Sequence, residues 1–133
     1  MLRYTDYDIV FREIPDETTL AVNLAGCPNR CPWCVVPRKE GGIRPHADIE
    51  EFLAGRRRAV LLDNNVLASD WGLVQIGKIV RLGIRVDFNQ GLDARRIARD
   101  PEVAELLARV RWLRFLRMAY DTNALRDDVH RAV

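Results

Sequence analysis

The sequence predicts an α/β fold: about four strand–helix units on a mainly parallel sheet, forming a partial (βα) TIM-like barrel over residues 1–133. Two observations carry this. Short apolar runs that end in polar turn residues alternate with segments whose apolar residues recur at helical spacing. Such alternation builds a parallel sheet with right-handed crossovers. Second, Ala59–Leu62 is apolar throughout, as expected of a strand buried on both faces. A length of 133 residues at 48% hydrophobic content suits one core, and no linker, repeat or low-complexity tract divides it.

The elements follow in order. Asp8–Ile14 is a short apolar-rich run closed by Pro15-Asp16. In Thr18–Leu24, Leu20, Val22 and Leu24 alternate against Thr19, Ala21 and Asn23. These two runs are expected to pair as a hairpin or to lie at a sheet edge. Gly26 opens a loop that Pro28, Pro32 and Pro37 keep irregular, and Gly41-Gly42 and Pro45 extend it. Asp48 and Glu51 form a capping box for a helix with Ile49, Phe52 and Leu53 on its apolar face. The strand Ala59–Leu62 ends in Asp63-Asn64-Asn65. Ser69 or Asp70 starts the next helix, whose buried stripe is Leu73, Val74, Ile76, Ile79 and Val80, with Gly83 as its stop. Ile84–Phe88 is the next strand, ending in Asn89-Gln90-Gly91. Asp100-Pro101 starts a helix with Val103, Leu106, Leu107 and Val110 on one face. Leu113–Ala119 is expected to be the fourth strand of the repeat, and a last helix begins near Thr122 or Asn123 with Leu125 and Val129 on one side. That helix reaches Val133 without a stop signal, so the expectation is a naturally short protein or the front part of a longer one.

Composition narrows the function classes. Net charge is +2, and acids nearly balance the arginines, so nothing marks a dedicated nucleic-acid binder. Arg56-Arg57-Arg58, the one basic run, reads as a solvated connection. No segment is long and apolar enough for a membrane helix, and the charged start, with Arg3, Asp6 and Asp8, does not read as a signal peptide. A cytoplasmic location is expected, where thiols stay reduced. All three cysteines then fall within eight residues, which reads as metal binding rather than a disulfide framework.

The chemistry concentrates in Gly26-Cys27-Pro28-Asn29-Arg30-Cys31-Pro32-Trp33-Cys34, a Cys-x3-Cys-x2-Cys loop placed after a strand. Thiolates are soft ligands suited to iron–sulfur clusters, which usually take four of them. Three hold a cubane at three irons and leave the fourth iron for another molecule. The alternative is structural zinc with His46 as fourth ligand, although zinc sites favour paired Cys-x2-Cys units and only one is present.

The cysteine spacing, with an aromatic before the last cysteine, resembles the signature of the radical S-adenosylmethionine superfamily. Asp8 to Cys34 resembles activase-type members, and Cys34-Val35-Val36-Pro37 resembles the methylthiotransferase form of the loop. Asp87-Phe88-Asn89-Gln90-Gly91-Leu92-Asp93-Ala94-Arg95 is similar to a stretch in small radical S-adenosylmethionine proteins, some encoded by phages. The resemblance implies a [4Fe–4S] cluster on Cys27, Cys31 and Cys34, with S-adenosyl-L-methionine as second cofactor. It implies reductive cleavage to methionine and a 5′-deoxyadenosyl radical that takes hydrogen from a protein or nucleoside substrate. It also implies an external electron donor such as a flavodoxin or ferredoxin. Trp33 matches the position beside the adenine. Asp63, Asn64 and Asn65 stand where the family usually has two glycines and a glutamate that hold the methionine amine, so that motif itself is absent. Asn89, Gln90 and Asp93 match positions for the ribose hydroxyls, and Arg117 a position that reaches the methionine carboxylate.

Each residue has a plainer reading. Trp33 serves equally as a loop anchor, and Asp63-Asn64-Asn65 and Asn89-Gln90-Gly91 as turn chemistry. Arg117 is alternatively the partner of an acid. Trp71 and Trp112 read as packing residues, and His46 and His130 as surface ones. The competing function is a non-catalytic iron–sulfur or zinc module whose open sheet edge docks a partner or a second copy.

Overall fold

A computed structural model describes residues 17–133. The expected run Asp8–Ile14 lies outside the described residues. Four parallel strands form the main sheet: β1 (Thr18–Ala21), β4 (Arg58–Leu61), β5 (Arg85–Phe88) and β6 (Arg111–Trp112), side by side in that order. A separate antiparallel pair, β2 (Leu24–Ala25) and β3 (Arg44–Pro45), frames the cysteine loop. Helices α1 (Val36–Lys39), α2 (Ile49–Leu53), α3 (Asp70–Leu82), α4 (Ala94–Arg99), α5 (Pro101–Ala108) and α6 (Arg126–Ala132) fill the connections. The expected α/β class with a mainly parallel sheet is therefore present.

The register explains which face is covered. Ala21 pairs with Leu61 and Leu61 with Phe88, while Ala59 pairs with Val86 and Val86 with Trp112. Aligned neighbours in a parallel sheet share a face, so these residues form one apolar surface. With Ile76, Ile79, Val103 and Leu107 from α3 and α5 they make the core. Trp112 closes one side, its ring 5.5 Å from that of Phe88. The alternation in the first strand works through its small residues. Thr19 and Ala21 are buried and Leu20 only half-buried, because α2 packs close enough for the Thr19 hydroxyl to donate to the Phe52 carbonyl at 2.7 Å.

The helix starts follow their caps. Asp48 and Glu51 form the reciprocal box on α2. Ser69 caps α3 by accepting from the Gly72 amide at 3.1 Å, and Gly83 ends it in the left-handed region at φ 65°. Asp100 caps α5 ahead of Pro101. Gly72 is required by packing: a Cβ there would stand 1.9 Å from the Val66 carbonyl oxygen of the turn preceding the helix.

Three expectations are corrected, and one helix was not foreseen. Val74 is 52% exposed, and Gln75 is buried in its place, because the Gln75 carboxamide oxygen accepts from the Ile49 amide at 2.8 Å and completes the start of α2. The loop after Cys34 is not irregular throughout: Pro37 sits in the first turn of α1, where its missing N–H costs nothing. Helix α4, capped by Asp93, is too short and arginine-rich to show an apolar period. Leu113–Ala119 is not a strand. Pairing with β5 stops at Trp112 and one further bond from the Leu113 amide to the Val86 carbonyl, although β5 itself continues through Phe88 beside β4. The segment then bows out, exposing Phe115, and rejoins the sheet only where Met118 bridges Leu92.

Candidate cofactor site

The strands of the main sheet all run the same way, so the turns that follow them collect at one end. There the cysteine loop, the turn after β4 and the turn after β5 line a cleft of about 670 Å³. It contains Cys27, Cys31 and Cys34 with Trp33, Asn64, Asn65, Gln90, Asp93 and Arg95, and is closed by Ala119 to Leu125. The three cysteines are half-buried free thiols. They also line a neighbouring hollow of about 560 Å³ with Arg30, Arg38, Gly41 and Gly42.

The loop is held at its entry. Gly26 has φ 75°, and a Cβ on it would lie 2.2 Å from the Gly42 carbonyl oxygen. Its amide donates to the Glu40 carboxylate at 2.9 Å, and Asn64 donates to the same oxygen at 3.0 Å. Glu40 thus ties the loop to the turn after β4. A further turn closes between the Cys34 amide and the Cys31 carbonyl at 3.1 Å.

Polar side chains stand beside the cysteines. The Asn65 side-chain amide stands 3.9 Å from Cys27 Sγ. In the same cleft the Asp93 carboxylate takes two bonds from Arg95 at 2.9 and 2.8 Å. Burial pushes Asp93 up, but the Arg95 contacts outweigh it and hold the carboxyl below the usual range. The Asp93 bonds raise the Arg95 guanidinium against its own burial, and the Asp93 and Cys31 charges add to the effect.

No family model, curated protein or solved structure matches this chain. The site is therefore read from its own chemistry. Among the described residues no three His, Cys, Asp or Glu side chains gather as ligands of a single ion. His46 is exposed and lines neither hollow.

The remaining candidates divide. Trp33, Asn64, Asn65, Gln90 and Asp93 line the cleft with the cysteines. Asp63 does not: it is 4% exposed, and its Oδ1 accepts from the Asn23 and Leu24 amides, both at 2.6 Å. Burial pushes its carboxyl up to about 6 despite those two bonds. Asn89 donates its amide to the Leu61 carbonyl and lies outside the cleft lining. Arg117 is bonded to buried Asp87, the pairing with an acid that its sequence position also allowed, and likewise lies outside. Arg95, Glu40 and Thr122 join the site without having been candidates. Arg95 sits two residues past Asp93, a spacing readable only once Asp93 is known to begin a helix. Glu40 acts across fourteen residues and leaves no local signal.

Proposed function

We propose that this chain is a radical S-adenosylmethionine enzyme built on a partial (βα) barrel. The observation that carries the reading is the cleft itself: three free thiols in Cys-x3-Cys-x2-Cys spacing, at the carboxyl ends of parallel strands, facing polar side chains from two further strand–helix turns. That end of a parallel sheet is where α/β proteins bind ligands and barrels do their chemistry. The strand order supports the barrel. Among the described residues the parallel strands are neighbours in chain order, with no reversal of the doubly wound kind.

The donor set suits a [4Fe–4S] cluster on Cys27, Cys31 and Cys34, because only soft sulfur is offered by the loop and no fourth thiol exists in the sequence. When bound, the cluster supplies one electron, received from an external low-potential donor, that splits the sulfonium carbon–sulfur bond of S-adenosyl-L-methionine into methionine and a 5′-deoxyadenosyl radical. The chain's own residues position and enclose. Asn64 and Gln90 offer amide donors and acceptors to ribose hydroxyls and to the methionine amine. Trp33, 59% exposed at the cleft, offers a face for the adenine. Arg30 and Arg95 carry the positive charges in the cleft that a methionine carboxylate requires, in place of Arg117.

Anaerobic reconstitution with iron and sulfide tests this. The expected product absorbs near about 400 nm, as thiolate-bound clusters do, and yields 5′-deoxyadenosine once reduced with S-adenosyl-L-methionine present. Cys31→Ala is expected to lose both. Zinc uptake at one ion per chain with no cleavage would instead make the chain a non-catalytic metal module.

A further inference from the structure

Asn65 is 7% exposed, and its side-chain nitrogen faces Cys27 Sγ at 3.9 Å. A cysteine that ligates iron is a thiolate, an acceptor with no proton to give, so the amide nitrogen is the end that suits it. The side-chain carbonyl oxygen is left buried without a partner among the described residues. Native structures rarely leave a buried polar atom unpaired without reason. Holding the N–H on the sulfur is such a reason. Asn65 itself opens the turn Val66–Ala68, whose Ala68 amide donates to the Asn65 backbone carbonyl at 3.2 Å.

We infer that Asn65 tunes the reduction potential of the cluster through an N–H···S hydrogen bond to Cys27. This rests on the cluster reading above. Reduction adds one electron, and a donor on a ligand sulfur stabilises the added negative charge more than it stabilises the oxidised form. Asn65 is thus a positioning residue that raises the potential and lets a weaker reductant charge the site.

The test is an anaerobic redox titration of reconstituted protein followed by electron paramagnetic resonance. Asn65→Leu, similar in size but without a donor, is expected to load iron as the wild type does. Its reduced-to-oxidised ratio at a fixed poise should fall about tenfold, about 59 mV for one electron. An unchanged midpoint at full iron content overturns the inference and leaves the cluster reading standing. A wild-type chain that takes up no cluster overturns the cluster reading first. Should Asn65→Leu fail to fold, the wild type answers alone. Exchange from H2O into D2O is expected to shift the iron–cysteine stretching bands in resonance Raman spectra, and unshifted bands refute the hydrogen bond.

Discussion

At the scale of single residues, Asp63 shows how position alone misleads. It follows a buried strand at the end where ligands bind, so the sequence marks it as a cofactor contact. The fold uses it otherwise: its carboxylate ties down the Asn23 and Leu24 amides where the chain leaves β1 for β2. Those amides have no strand partner there, so the bonds are structural. Burial nevertheless disfavours the charged form and lifts the group from 3.8 to about 6. Between about pH 4 and pH 6 the folded chain then holds more protons than the unfolded one, so stability falls as pH rises through that window. The displacement corresponds to roughly 3 kcal/mol at most. Chemical denaturation at pH 4, 5, 6 and 7 should show the decline. Asp63→Asn keeps an acceptor for both amides and removes the ionisation, so its stability should be flat across the same range. A variant that keeps the wild-type slope would assign the titration to another group.

Elements were legible wherever a cap or a period is local. Asp48, Ser69 and Asp100 each announce a helix by the side chain that accepts its first amides, and the structure has all three. Two of the misses depend on groups far away in sequence. Gln75 is buried only because α2 presents an unpaired amide at Ile49, 26 residues earlier. Leu113–Ala119 carries enough apolar residues for a strand, but lacks a neighbour of matching length. The caps allow a graded prediction. Asp48→Ala removes the α2 cap and leaves buried Gln75 with one partner fewer, so it should cost about 1–2 kcal/mol in denaturant unfolding. Lys78→Ala, which removes only the partly exposed ion pairs to Asp48 and Glu50, should cost clearly less than the loss of the cap. Equal losses would mean that the charge pair, not the cap, holds α2. The cysteine loop is the third case. Gly26→Ala combines a left-handed φ with a 2.2 Å collision against backbone. Its far-UV circular dichroism should stay near wild type, since core and helices lie elsewhere, while iron retained after reconstitution drops severalfold. Normal iron content would show that the loop tolerates a different entry.

At the scale of the whole molecule, the parallel alternation was readable because each unit writes its own pattern, whereas the composition of the cleft was not. The cleft draws on loops that are up to about a hundred residues apart in sequence, from Cys27 to Leu125, and only the common direction of the strands brings them together. That arrangement has a thermodynamic consequence. A ligand that bridges the cysteine loop, the Asn64–Asn65 turn and the Gln90–Asp93 turn binds only when all three are in place, so its binding free energy adds to global stability. Free ligand at a hundred times its dissociation constant contributes about 2.7 kcal/mol. For a chain of this length that is a rise in Tm on the order of 5–15 °C. Anaerobic calorimetry should therefore show two upward steps, one on cluster reconstitution and a second on adding S-adenosyl-L-methionine. The second step should shrink in Asn64→Ala, which lacks both the cleft amide and the tie to Glu40. If the first step appears and the second does not, the chain holds its metal but the cleft beside it takes a different small molecule.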